Sequence, residues 1–204
     1  MLTFPQKYML PQQSRLRSVD VTQTQDSQGG IDHTNRIGYK HKWAIDITTP
    51  KLKYPDIMAL FSFACQLGGK YSPCLVPNPY PPIGSADFLT QSREITPQGA
   101  QSVALFNLPS AKTNLLLPGD FIQFVDHSKV YMVTLPLNSN GAGQGTVSFT
   151  PPLRKNVAQN VPVRVGDRVF FTMRLKSDKQ DIQLRADQGK ESPVKIEFEE
   201  YIND

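Results

Sequence analysis

A chain of 204 residues that is 39% hydrophobic can bury one sizeable core or two small ones. Its net charge of +4 is dispersed as short pieces such as RLR, KHK and LRK among 18 acidic residues, which argues against the clustered cationic face of a nucleic-acid binder. No run of about 18 apolar residues offers a membrane span, and the start MLTFPQKYMLPQQSR has neither the basic segment nor the apolar stretch of a secretory signal, so synthesis and folding in a cytoplasm are expected.

From the N-terminus, RLRSVDVTQTQ has a β-prone centre at Val19 and Val21, DSQGGIDHTN supplies turn residues, and RIGYKHKWAIDITTP returns with Trp43, Ile45 and Ile47 on one face. The period of two predicts a strand pair. Residues Asp26 to Asn35 between them are polar and glycine-containing, and are expected to form an exposed, mobile loop.

YPDIMALFSFACQLGGK carries the strongest helical signal in the chain. Ile57, Leu60, Phe61, Ala64, Cys65 and Leu67 follow a 3.6-residue period and predict one apolar stripe packed across a sheet. Pro55 suits the first turn, Asp56 complements the positive end of the helix dipole, and Gly68 can take the left-handed conformation that ends a helix. Cys65 is expected as a buried free thiol, since the two cysteines, Cys65 and Cys74, form no disulfide framework.

Five prolines between Pro73 and Pro82 then break regular structure and read as a junction. Beyond it, VALFNL, DFIQFV, KVYMVTL, GTVSFTP and VPVRVG recur at the cadence of a small barrel or sandwich. The tail alternates again, with Val169, Phe171, Met173 and Leu175 on one face of RVFFTMRLK, and Val194, Ile196 and Phe198 set against Lys195, Glu197 and Glu199. The expected fold is mainly β with one helix: a discontinuous, sandwich- or barrel-like domain of residues 1–77 plus 167–204, carrying residues 78–166 as an inserted OB-like small β-barrel.

The glycines of NSNGAGQG, Gly141, Gly143 and Gly145, invite a phosphate-loop reading. Such a loop opens a helix and places backbone amides at its N-terminus. This one runs into the β-prone TVSFTPP with no following lysine of the Walker type, so a polar hairpin loop is expected. His33, His41 and His127 are scattered without zinc-ligand spacing and read as solvated side chains. No serine lies in a G-x-S-x-G elbow and Cys65 has no adjacent base. Glu197, Glu199 and Glu200 read as a solvated row. No catalytic, cofactor or metal site is expected. Phe121 and Phe124 cannot both point inward on one regular strand, while Tyr131 and Phe149 are candidate aromatics for stacking a ligand on the barrel.

LLLPGDFIQFVDHSKVYMVT, the glycine hairpin, and TVSFTPPLRKNV followed by VPVRVGDRVFFTMRL together resemble the central part of distal tail proteins of phages with long non-contractile tails. The residues that carry the resemblance are Gly119 and Asp120 before FIQF, the turn before KVYMV, and Pro151, Pro152, Leu153 and Arg154. The resemblance implies a structural virion protein without enzymatic activity. It would be a homo-oligomeric ring, commonly of six copies, at the tail tip, between the tail tube protein and the tip or hub proteins. DNA would pass through without specific binding, the first domain would form the ring, and the barrel would decorate its outside. Two readings from other classes stand beside it: a carbohydrate-binding module contacting host surface sugars through Tyr131 and Phe149, and a single-strand nucleic-acid binder on the barrel.

Overall fold

A computed structural model describes residues 1–9, 14–20, 22–26, 32–36, 41–85, 87–180 and 193–203, the side chains of 22–26 and 32–36 apart. It is mainly β with one helix, arranged as a mixed six-stranded sheet and a closed, six-stranded antiparallel barrel.

The sheet is drawn from both ends of the chain. Its strands are β1 (Leu2–Thr3), β2 (Ser14–Val19), β5 (Lys42–Thr48), β6 (Cys74–Pro77), β13 (Phe170–Leu175) and β14 (Lys195–Glu200), in the spatial order β1-β6-β13-β14-β5-β2. β1 runs parallel to β6 and the other neighbours are antiparallel. The period-two patterns do what they predict: Phe171, Met173 and Leu175 on β13, Ile196 and Phe198 on β14, and Trp43, Ile45 and Ile47 on β5 are all buried in one cluster.

α1 (Tyr54–Gln66) joins that cluster through Ile57, Leu60, Phe63 and Ala64, with Leu67 just beyond its end. Pro55 lies in its first turn, and Gly68 has the left-handed φ of 61° that ends it. Two expectations are corrected here. Phe63 enters the core, whereas Phe61 is half-buried and Cys65 exposed. At 100° per residue, Phe63 shares the face of Leu60 and Leu67, while Phe61 and Cys65 fall in line with Tyr54 and Met58 on the outside. The buried thiol is that of Cys74 on β6, pushed up to about 12 by burial.

The described residues of the expected loop from Asp26 to Asn35, Asp26 and Asp32 to Asn35, lie in strands. β3 (Thr22–Asp26) pairs antiparallel with β4 (Asp32–Arg36) from Thr22↔Arg36 to Asp26↔Asp32, as a separate two-stranded sheet. Thr22 to Gln25 fall in the segment read as a strand, whereas DHTNR of β4 lacks the apolar alternation that reveals one.

The barrel comprises β7 (Thr90–Ser92), β8 (Ser102–Phe106), β9 (Phe121–Phe124), β10 (Tyr131–Val133), β11 (Gly145–Thr150) and β12 (Pro162–Val165), closing in the order β10-β11-β8-β7-β12-β9. Closure leaves no unpaired strand edge. Leu105, Ile122, Phe124, Tyr131, Val133, Val147, Phe149, Val163 and Val165 are part of its buried core. β7, Thr-Gln-Ser, has no apolar residue to betray it. Its hydroxyls hold it instead, Thr90 Oγ1 donating to the Phe106 carbonyl at 2.7 Å and Ser92 Oγ to that of Ala158 at 2.6 Å. Among the described residues no helix is long and apolar enough to cross a membrane.

Candidate functional site

The chain leaves the sheet after β6 and returns to it at β13, so the seam between sheet and barrel decides how the two are held. β9 forms much of it. Alternation sends Ile122 and Phe124 into the barrel core and turns Phe121 the other way, as its sequence parity requires. That outward face is nevertheless buried, because the sheet covers it. Phe121 meets Trp43 edge-on at 5.7 Å between ring centroids and Phe171 at 5.5 Å. Next to it, the Gln123 side-chain oxygen accepts from the Phe170 N–H at 3.3 Å, a direct bond from barrel strand to sheet strand.

Gly119 and Asp120 anchor the proline-rich junction. The buried Asp120 carboxylate accepts from the backbone N–H groups of Ile83 at 2.6 Å, Gly84 at 3.0 Å and Leu117 at 2.7 Å. Its own backbone carbonyl accepts from the Val133 N–H at 2.8 Å, which sets it against β10. Gly119 has a φ of 101°, and a Cβ there would stand 3.0 Å from the Ile83 side chain. One aspartate thus stitches the incoming junction to the barrel.

The centre of the seam is polar. Lys129, in the turn between β9 and β10, and Glu200, the last residue of β14, are both 0% exposed and form a very short ion pair. Lys129 Nζ also lies 2.9 Å from His41 Nδ1, and 5.6 Å from the centre of the Trp43 ring. Glu200 accepts from the Trp43 N–H at 2.9 Å and the Val130 N–H at 3.4 Å, and the Trp43 indole donates to the Val130 carbonyl at 2.8 Å. Burial pushes the Lys129 ammonium down to about 8 against the opposing pull of Glu200, and pushes the Glu200 carboxyl up against the pull of Lys129. This cluster was missed by sequence reasoning. Its local signal is only a lysine in the loop between β9 and β10 and the last carboxylate of EFEE, and in that row Glu197 and Glu199 are outward and half-buried while Glu200 is buried.

The candidate stacking aromatics are corrected. Tyr131 and Phe149 are 0% and 1% exposed, packed ring to ring at 5.1 Å with Phe124 beside them, and present no surface to a sugar or a base. A closed barrel buries one face of every strand, and both residues fall on it. The Tyr131 hydroxyl stands 2.8 Å from His127 Nδ1 and accepts from the Arg154 N–H at 3.3 Å, so Arg154 meets the barrel core through its backbone, just after the buried Pro151, Pro152 and Leu153. His41 and His127 are buried rather than solvated, each held by the groups just named, and the side chain of His33 lies outside the described residues.

The glycine stretch is a hairpin loop between β10 and β11. The Asn140 side-chain oxygen accepts from the N–H groups of Ala142 and Gln144, each at 2.9 Å, and Gly143 has a φ of 67° with the Leu108 carbonyl oxygen 2.6 Å from where a Cβ would stand. Its amides are spent on the loop itself. An open cleft of about 800 Å³ lies beside the junction, lined by Ser85, Asp87, Lys112, Asp167 and Arg168 among others, with Arg168 paired to Asp87 at 2.7 Å. Among the described residues no three His, Cys, Asp or Glu side chains stand together so as to hold a metal ion. No family model matches this chain, and no curated protein matches it.

Proposed function

We propose that this chain is a structural protein of a phage tail tip, a ring subunit of the distal tail type that joins the tail tube to the tip complex. In this reading the sheet builds the ring, the barrel decorates it, and DNA passes through the lumen without specific binding. The observation that carries the reading is the seam. A small closed barrel inserted between two strands of a sheet is fastened to it by aromatic packing, by Asp120 and by a buried ion pair. A subunit that bears load between neighbours needs its parts fixed to one another, whereas a binding module needs an open recognition surface. The outer face of α1 adds support: Tyr54 and Met58 are exposed, Phe61 half-exposed, and their spacing aligns them in one apolar stripe suited to contact with another subunit.

Light scattering of the purified protein across a range of concentrations, with negative-stain imaging, tests the assembly, and open rings of six copies are the expected result. Antibody labelling of virions tests the position. Label confined to the capsid or neck, with the tail tip bare, overturns the proposal.

A further inference from the structure

Lys129 and Glu200 stand 71 positions apart in the chain and meet in the middle of the seam, where neither side chain touches solvent. An ion pair there is a costly arrangement, because stripping water from an ammonium and a carboxylate offsets much of what their attraction returns. Burial drives both toward their uncharged forms, an amine and a carboxylic acid. Those are the two reactants of an amide condensation.

The groups around them complete the chemistry. His41 Nδ1 stands 2.9 Å from Lys129 Nζ, whose ammonium can only donate, and His41 Nε2 stands 2.9 Å from Ser18 Oγ, itself 3.5 Å from Asp20. The proton of the imidazole is thereby placed on Nε2, and the Nδ1 lone pair faces Lys129 Nζ at 2.9 Å. The backbone N–H groups of Trp43 and Val130 point at Oε2 and Oε1 of Glu200 at 2.9 and 3.4 Å. Fixed donors on both carboxyl oxygens are what steadies a carbonyl carbon under attack. Trp43 and the neighbouring Phe121 are buried beside the cluster and exclude bulk water.

We propose that Lys129 and Glu200 are joined by an intramolecular isopeptide bond that the folded chain forms by itself. The Lys129 Nζ lone pair attacks Glu200 Cδ, and His41 Nδ1 takes one amine proton. Charge gathers on Oε1 beside the Val130 N–H. His41 returns the proton to the Oε2 hydroxyl, the Cδ–Oε2 bond breaks, and one water leaves carrying the acid proton and one amine proton. One N–C bond forms, one C–O bond breaks, nothing is oxidised or reduced, and no co-reactant enters. The product replaces two buried ionisable groups with a neutral amide and ties the β9–β10 turn covalently to the last strand of the sheet. The bond does not depend on the role proposed above for the protein, and a ring that fails to form leaves it standing.

The deciding measurement is the intact mass of the full-length wild-type chain under denaturing conditions, with allowance for removal of Met1. The expected mass is lower than that of the sequence by one water, and proteolysis yields a branched peptide joining the segments that hold Lys129 and Glu200. Lys129→Met is expected at its full sequence mass, and His41→Phe to accumulate unlinked chain. A wild-type chain at full mass, a water loss that maps to other residues, or one that persists in Lys129→Met overturns the proposal. His41→Phe that links as fast as wild type removes His41 as the base. Because the first readout needs no substitution, a variant that fails to fold does not blunt the test.

Discussion

The N–H groups of Ile83, Gly84 and Leu117 all end on the carboxylate of Asp120. Removing it strands buried donors, each of which then carries its desolvation cost. Asp120→Ala should lower stability by about 3 kcal/mol, read as a shift in the urea midpoint, and Asp120→Asn, which keeps one acceptor oxygen, should recover part of the loss. Tyr131 and Phe149 make the complementary case. As core rings they should each cost about 3–5 kcal/mol when cut to alanine, measured by thermal unfolding. A Phe149→Ala protein that melts like wild type would return the ring to the surface.

α1 reads correctly in its extent, its Pro55 start and its Gly68 stop, because those signals act within a turn of the residues that carry them. Which of two neighbouring phenylalanines enters the core was not legible, since the helix has an apolar stripe on both faces and periodicity does not say which the sheet covers. The structure places Phe63 edge-on against Phe4 at 5.7 Å. Phe63→Ala should therefore cost about 3–5 kcal/mol, while Phe61→Ala should cost clearly less, and melting temperatures of the two variants check the order. In the β10–β11 loop, Gly143→Ala places a side chain at a left-handed φ of 67° and against the Leu108 carbonyl, whereas Gly141 has nothing within 4 Å of its virtual Cβ. Denaturant unfolding should find Gly143→Ala destabilised by about 1–2 kcal/mol or more, and Gly141→Ala within about 0.5 kcal/mol of wild type.

Across the whole molecule, sheet and barrel have separate apolar clusters, yet Phe121, a barrel residue, belongs to the cluster of the sheet. The two parts should therefore unfold together. Trp43, the one tryptophan in the chain, lies in the seam and reports on it. Its fluorescence and the far-ultraviolet circular dichroism are expected to trace one coincident transition in wild type. Phe121→Ala is expected to separate them, with the seam loosening first. Coincident curves in Phe121→Ala would show that the polar contacts of the seam suffice without the aromatic ones.

The amino-acid sequence by itself determined the single helix, the period-two strands β5, β13 and β14, the barrel strands with apolar alternation and the glycine hairpin, because periodicity, proline and glycine act over a few residues. Only the tertiary structure decided that the outer face of β9 is covered, that Tyr131 and Phe149 point inward, and that polar segments such as β4 and β7 pair as strands. It alone brought Lys129 beside Glu200. Burial and proximity between residues 71 positions apart depend on how strands register and pack, and no local pattern carries that information.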